Sequence, residues 1–71
     1  MSRVVIDATG LACPQPIILL AQQISNIAIG DTLTLLADDP AAAFDVPAWC
    51  RMTQHELVSG ANSTFIVRRH S

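Results

Sequence analysis

Residues 3–16 read RVVIDATGLACPQP, a β-rich run that leads through a turn to a cysteine flanked by prolines. Arg3–Asp7 predicts a β-strand, and Ala8-Thr9-Gly10 is a turn signal. After Cys13-Pro14-Gln15-Pro16, apolar residues recur at three- and four-residue steps, as on one face of an amphipathic helix: Ile17, Leu20, Ala21, Ile24, Ile27 and Ala28. The stretch therefore predicts a strand followed by a helix, which Gly30 is expected to end.

The following segment predicts a second strand and a second helix. Leucines alternate with threonines in Thr32–Ala37, the pattern of a half-buried strand. Asp39-Pro40 predicts a helix start, with a capping carboxylate and proline at the first helical position. The helix would cover residues 41–52, but Pro47 removes an amide donor, so we expect a kink or a split there, with Asp45 capping the second part.

The last third of the chain predicts a β-hairpin. His55–Val58 and Thr64–Arg68 are β-rich, and Ser59–Ser63 would join them. The order is then β-α-β-α-β-β, and a right-handed crossover makes the first two strands parallel. We expect a single domain over residues 1–71, a two-layer α/β sandwich with a four-stranded mixed sheet and two helices on one face.

Composition excludes several functional classes. The chain has four arginines, no lysine and a net charge of −2, which argues against a Schiff base, a P-loop and a surface that binds nucleic acid directly. No apolar run approaches the ~20 residues of a membrane span, and no signal-peptide pattern opens the chain, so a cytoplasmic protein is expected. The two cysteines and two histidines lack the ligand spacing of a structural zinc site, so no metal is expected. The sequence implies no organic cofactor either.

Cys13 is the strongest candidate for chemistry. If it caps the helix, Pro14 and Pro16 occupy positions whose missing amides break no helical hydrogen bond. The thiol then lies at the positive end of the helix dipole, with the Gln15 amide as the remaining donor near the sulfur. Such settings lower a cysteine pKa from about 8.5 to roughly 3.5–7.5, so a reactive thiolate is predicted. The alternative is a small buried cysteine at a good helix start.

Other candidate residues have simpler structural explanations. Cys50, next to Trp49, is expected to be a core thiol, with a secondary redox role as the minority interpretation. Asp38 and Asp39 are expected to cap a helix, and solvated positions are expected for His55 and His70. For Phe44 a core position is favoured over a protein contact. The arginines Arg51, Arg68 and Arg69 are solvated charges or docking charges.

Two segments carry a resemblance to a known family. Residues 7–16, DATGLACPQP, are similar to the D-x-x-G-x-x-C-P-x-P signature of the TusA/SirA-type sulfur carrier family. Residues 37–40 (ADDP) and 45–50 (DVPAWC), followed by His55–Val58, resemble the TusA branch. The resemblance implies that Cys13 accepts sulfane sulfur as a persulfide from a cysteine desulfurase or rhodanese-like donor. It further implies a transient relay to an acceptor protein. We expect neither nucleic acid nor a membrane as a partner, and we expect the chain to be a monomer.

The resemblance leaves the pathway open among tRNA 2-thiouridine synthesis, molybdenum cofactor synthesis and sulfur oxidation. Many relatives carry a basic residue before the cysteine and an acid between the prolines, where this chain has Ala12 and Gln15. Its local charge pattern therefore differs, and partner choice does not follow from the resemblance. Two other hypotheses remain: a thiol-based redox or regulatory module using Cys13 and Cys50, and an RNA-binding module on the same α/β plan.

Overall fold

The computed structural model describes residues 4–70, in which strands and helices follow the order β-α-β-α-β-β. The strands are β1 (Val4–Asp7), β2 (Thr32–Leu36), β3 (Glu56–Ala61) and β4 (Thr64–Arg68), and the helices are α1 (Gln15–Gln23) and α2 (Ala42–Thr53). Arg3, which the sequence assigns to the first strand, lies outside the described residues. The observed order is the one that the sequence predicts.

The sheet has the strand order β1-β2-β4-β3. β1 and β2 are parallel and connected through α1, whereas β4 runs antiparallel to both β2 and β3. Because β1 and β2 are parallel neighbours, the loops that follow them emerge at the same edge of the sheet. We call this edge the cysteine end, since the loop after β1 leads to Cys13.

The hydrophobic core lies on one face of the sheet. Alternate residues of the central strands point into it, so that Leu33 pairs with Val67 and Leu35 with Phe65 across β2 and β4. Both helices contribute to the same core, chiefly through Leu20 of α1 and Val46 and Cys50 of α2. The other side of β2 carries half-buried residues. The two-layer α/β sandwich predicted from the sequence is therefore confirmed.

The first helix differs from its prediction at both ends. Pro14, not Cys13, is the N-cap, and the helix begins at Gln15. The helix ends at Gln23 and continues as one 3-10 turn, Ile24–Asn26, well before Gly30. Gly30 has φ +95° and its amide donates to the Arg69 carbonyl, so it turns the chain into β2. The predicted apolar stripe is only partly buried, because Ala21 and Ala28 are exposed.

The second helix is continuous across Pro47, so the predicted split is wrong, and the alternative of a kink stays a prediction. α2 runs from Ala42 to Thr53 with Pro47 inside it. Pro47 has no amide hydrogen, so the carbonyl of Ala43 lacks its helical hydrogen bond. Ala43 is exposed, and water can donate to this carbonyl instead. Val46 and Cys50 on either side of the proline are buried in the core and hold both halves of the helix. Packing therefore outweighs the lost hydrogen bond.

The hairpin is tighter than predicted. β3 extends to Ala61, and only Asn62 and Ser63, both with positive φ, connect it to β4. Two consecutive residues with positive φ form the turn that matches the twist of paired strands. Gly60 lies within β3 opposite Phe65, where a Cβ would come within 3.1 Å of Phe65 Cδ1, so close packing favours glycine here. The predicted five-residue connection was wrong because this glycine serves cross-strand packing.

Candidate functional site

Cys13 lies at the cysteine end, in the loop between β1 and α1, and is exposed. Its backbone amide donates to Oδ2 of Asp39 at 2.6 Å. Earlier in the same loop, the Gly10 amide donates to Oδ1 of Asp38 at 2.9 Å. Gly10 has φ +79°, a conformation that glycine adopts without strain. The loop that carries the thiol is thus held by two adjacent carboxylates from another part of the chain.

These two carboxylates do more than the capping predicted for them. The N-cap of α2 is Ala41, and no side chain caps it. Oδ1 of Asp39 accepts a long, 3.3 Å bond from the Ala41 amide, while its other oxygen binds Cys13. Asp38 and Asp39 follow β2 as the Cys13 loop follows β1, so parallel pairing brings them together. The two loops therefore form one hydrogen-bonded unit at the cysteine end.

Asp45 contacts the thiol itself. The Sγ–H group of Cys13 donates to Oδ2 of Asp45 at 2.9 Å. Asp45 lies in the first turn of α2, where the sequence had predicted a cap for the second part of a split helix. Because α2 is continuous, no second cap is required, and the side chain faces α1 instead. The structure thus pairs the candidate cysteine with a carboxylate that the sequence had assigned to helix capping.

This carboxylate reverses the predicted electrostatics. The hydrogen bond to Asp45 raises the pKa of the Cys13 thiol above its ordinary value, and desolvation and the charges of Asp45 and Asp39 act in the same direction. The lowered pKa expected from the helix dipole is therefore wrong. A negative charge in contact with sulfur favours the neutral thiol, whereas the dipole acts from a helix that starts two residues later.

The Gln15 amide does not stabilise the sulfur as predicted. It donates to the carbonyl of Ala12 at 2.9 Å, and the helix's first bond runs from Ile18 to Pro14. Cys13 thus precedes the cap, and the peptide bond between Cys13 and Pro14 is cis. Pro14 remains next to the thiol, and Pro16 is buried inside the first turn of α1. The prolines therefore shape the helix start, while the anion-binding amide is already occupied.

Cys50 occupies the position expected of a core thiol. It is 3% exposed and lies on the buried stripe of α2 with Ala42 and Val46. Burial raises the pKa of its thiol. Both cysteines are free. A resolving role would require Cys50 to leave the core, so the observed burial counts against the redox interpretation.

An open groove of about 340 Å³ adjoins the thiol. On one side it is lined by Cys13, Pro14 and Ile17, and on the other by residues at helical spacing on α2, namely Asp45, Ala48, Trp49 and Met52. Asp45 is the charged residue of this lining, and the remainder is apolar apart from the thiol. The groove is a surface feature between two helices, suited to a segment of a partner protein rather than to an enclosed small molecule.

The outer face of α2 exposes two large apolar side chains. Phe44 is 78% exposed and Met52 is 83% exposed. Phe44 is therefore not a core residue, and its predicted core position is wrong. With Ala48 these residues follow a four-residue spacing, so they share the face that borders the groove. Exposed apolar residues beside an exposed cysteine are typical of a protein contact surface.

Charged residues of the opposite end of the sheet are paired with one another. Arg68 donates to Glu56 at 2.9 Å, and His70 lies 3.2 Å from the same carboxylate oxygen. Arg69 donates to the Ile27 carbonyl at 2.6 Å. His55 is half-buried, 5.3 Å from the Trp49 ring centre. The predicted docking charges Arg68 and Arg69 thus lie away from Cys13, whereas Arg51 is exposed near the end of α2.

No helix within residues 4–70 is long and apolar enough to cross a membrane. In the same part of the chain, no group of three or more His, Cys, Asp or Glu side chains is arranged to hold a metal ion.

One sequence signal could have identified the carboxylates of the site. Once β1 and β2 are recognised as parallel neighbours, residues directly after each strand must meet at one edge. Asp38-Asp39 and the loop before Cys13 satisfy that condition. Asp45 had no comparable signal, because its contact depends on the angle at which α2 crosses α1.

Fold and site together define a small α/β sandwich protein whose exposed cysteine, at the mouth of a helix, pairs with a carboxylate. The chain matches the family described as Sulfurtransferase TusA over residues 4–68, and it belongs to that family. Its fold is similar to the crystal structure of a SirA-like protein from Desulfitobacterium hafniense, with a TM-score of 0.68 and 22% identity over 90% of each chain. That likeness supports the fold, and the family match supports a sulfurtransferase.

Proposed function

We propose that this protein is a sulfur carrier that holds sulfane sulfur as a persulfide on Cys13. A cysteine desulfurase or a rhodanese-like protein supplies the sulfur, and a second protein receives it. The observation that carries the proposal is the exposure of Cys13 in an open groove, with its loop fixed by Asp39. Membership of the TusA family supports the same chemistry.

The transfer is a displacement at sulfur. Cys13 first loses its proton to solvent, and the thiolate attacks the outer sulfur of the donor's cysteine persulfide. A bond forms between Cys13 Sγ and that sulfur, the donor's sulfur–sulfur bond breaks, and the donor cysteine leaves as a thiolate. No net oxidation occurs, because a sulfane sulfur is exchanged between two thiols. Delivery to the acceptor repeats the displacement with the carrier as donor.

An exposed groove suits this role better than a deep pocket. Two cysteines on different proteins must approach to bonding distance, so the carrier thiol must be reachable by a macromolecule. Exposed Phe44 and Met52 provide apolar contact area beside it. The proposed chemistry does not distinguish between pathways for the acceptor. tRNA 2-thiouridine synthesis, molybdenum cofactor synthesis and sulfur oxidation all use a protein-bound sulfane sulfur.

The proposal is tested by intact-protein mass after incubation with a cysteine desulfurase and cysteine, and separately with a rhodanese and thiosulfate. We expect a gain of one sulfur atom in the wild type that disappears on addition of reductant. The Cys13→Ser variant should show no gain, because serine cannot form the sulfur–sulfur bond. The matched control is Cys50→Ala, which removes the other thiol and should load like the wild type.

Two outcomes would count against the carrier. Absence of any adduct with both donor systems would overturn it, provided that the donors release sulfur in a parallel assay. A peroxide-induced Cys13–Cys50 disulfide that forms faster than loading would favour the redox module instead. Such a bond needs Cα atoms within about 7 Å of each other and a Cys50 that is accessible, whereas this side chain is buried.

A further inference from the structure

The cysteine end carries an excess of negative charge. Four of the chain's six carboxylates lie there: Asp7 ends β1, Asp38 and Asp39 follow β2, and Asp45 contacts the thiol. None of the four lies within ion-pair distance of a described cation. The residues that line the groove include no Arg or His either. Asp39 and Asp45 contact Cys13 directly, through its amide and its thiol, while Asp7 and Asp38 add negative charge at the same end of the sheet.

This arrangement works against a resting thiolate. A thiolate at Cys13 would replace the hydrogen bond to Asp45 with repulsion between two anions 2.9 Å apart. The Asp45 oxygen that accepts the proton from sulfur has no competing donor among the described hydrogen bonds. Deprotonation thus becomes easier when another group donates to Asp45 or cancels its charge. That group must come from outside the described chain, because the groove has none.

We propose that Asp45 keeps Cys13 in its protonated form until a cationic side chain of a docked partner protein neutralises the carboxylate. The partner surface is a basic one, with an arginine or lysine that enters the groove beside its own reactive cysteine. This inference rests on the proposed carrier function, because that function supplies the partner. The effect of Asp45 on the Cys13 thiol can still be measured on the isolated chain. It assigns Asp45 as a positioning residue and gives the partner's chemistry as cationic and partly apolar.

Docking of the partner precedes deprotonation of Cys13, and sulfur transfer follows. A guanidinium or ammonium group binds the Asp45 carboxylate and takes over the hydrogen bond that the thiol had donated. The Cys13 proton then passes to solvent, and the thiolate attacks the partner's persulfide as described above. When the partner leaves, the thiol reprotonates if it is unloaded. Exposed Met52 and Phe44 flank the route by which such a segment would enter.

The test uses three methanethiosulfonate reagents on the isolated full-length chain: a trimethylammonium ethyl reagent, the neutral methyl reagent and an ethylsulfonate reagent. In each reaction Cys13 Sγ bonds to the reagent's sulfur, and methanesulfinate leaves. Rates are measured at low salt from pH 6 to 10, divided by those of a small free thiol, and assigned to Cys13 by peptide mass. The variants are Asp45→Asn, which is nearly isosteric, and the control Glu56→Gln, which removes one charge at the other end.

We expect the wild type to react about two- to fivefold faster with the cationic reagent than with the anionic one after normalisation, as for an exposed charge pair. In Asp45→Asn that ratio should shrink, and the neutral reagent should react faster near pH 7, with the midpoint of its pH–rate profile at lower pH. Glu56→Gln should behave like the wild type. A merely structural role for Asp45 would not move the midpoint toward lower pH.

The proposal is overturned if Asp45→Asn, folded by circular dichroism, leaves both the midpoint and the reagent preference unchanged. A wild-type chain with no preference for the cationic reagent would overturn it as well, without recourse to any variant. Failure of the desulfurase and rhodanese loading assays alone would instead remove the carrier function, because the reagent series contains no sulfur donor. The two proposals therefore fail by different results.

Discussion

The two ends of the sheet use charge in opposite ways. At the end where β4 finishes, Arg68 and His70 both contact Glu56, and the charges largely cancel. At the cysteine end, the carboxylates of Asp39 and Asp45 bind an amide and a thiol, neither of which cancels their charge. A carboxylate that accepts a hydrogen bond from an amide or a thiol keeps its negative charge, and complementary positive charge on another protein can recognise it.

The largest expected loss of stability comes from a substitution in the hydrophobic core, which both ends of the sheet share. Leu35 on β2 is completely buried and pairs with Ile6 and Phe65. Leu35→Ala should lower the free energy of unfolding by about 2–5 kcal/mol, because it removes buried methyl groups and leaves a cavity. Urea denaturation followed by Trp49 fluorescence measures this. If the two ends folded independently, circular dichroism and Trp49 fluorescence would give different midpoints.

A smaller effect is expected from Asp39, which connects the two loops of the cysteine end. Asp39→Ala removes the acceptor of the Cys13 and Ala41 amides. The free energy of unfolding should fall by about 1–2 kcal/mol, a low value for hydrogen bonds to a charged group, because the site is partly solvated. Hydrogen exchange at the Cys13 amide should become faster. Unchanged protection of that amide would show that the loop is held by other contacts.

A still smaller effect is expected at the opposite end. Glu56→Gln removes the charge that contacts Arg68 and His70, but the pair is about 40% exposed, with side-chain values of 41% and 42% for Arg68 and Glu56. The free energy of unfolding should fall by less than in Asp39→Ala, because solvent screens an exposed ion pair, and Cys13 reactivity should not change. A change in Cys13 reactivity would mean that the two ends of the sheet are electrostatically coupled, against the view that their charges act separately.

The smallest expected effect is the dependence of stability on pH that arises from the contacts of Glu56 with Arg68 and His70. Hydrogen bonds from Arg68 and His70 lower the pKa of Glu56 below its ordinary value of 4.5. The unfolded chain therefore takes up the Glu56 proton first as pH falls, and the pair's contribution to stability is present above pH 4.5 and lost below it. Thermal unfolding between pH 6 and 3 should show a shallower decline in Glu56→Gln than in the wild type. Parallel curves would contradict the assignment.

Local patterns predicted most of the fold. The alternation in Thr32–Ala37 and the three- and four-residue spacing after Pro16 required only the periods of a strand and a helix. Apart from the ends of α1, the errors concern Pro47 and Gly60, residue types that usually indicate a helix break or a turn. In each case a tertiary contact decided otherwise: Val46 and Cys50 anchor α2 on both sides of the proline, and Phe65 occupies the space next to the glycine.

The sequence selects Cys13 as the candidate nucleophile, but it does not predict the electrostatics around the thiol. Cys13 could be selected because a cysteine before Pro-x-Pro has a restricted helix start, which is a local property. The sign of its pKa shift could not be predicted, since Asp45 is 32 residues away along the chain and reaches the sulfur only when α2 packs beside α1. Phe44 was misjudged for the same reason, because its helical face could not be oriented without that packing.

The amino-acid sequence by itself determined the order of strands and helices, the parallel pairing of β1 with β2, and the cysteine at the mouth of α1. These follow from periodicity, turn residues and the handedness of crossovers, which act over a few residues or on the connection between two strands. Only the tertiary structure decided which carboxylates contact the thiol and which face of α2 is exposed. Hydrogen bonds and charge interactions depend on distances of a few ångströms, and only the packed core brings segments so far apart in the chain within that range.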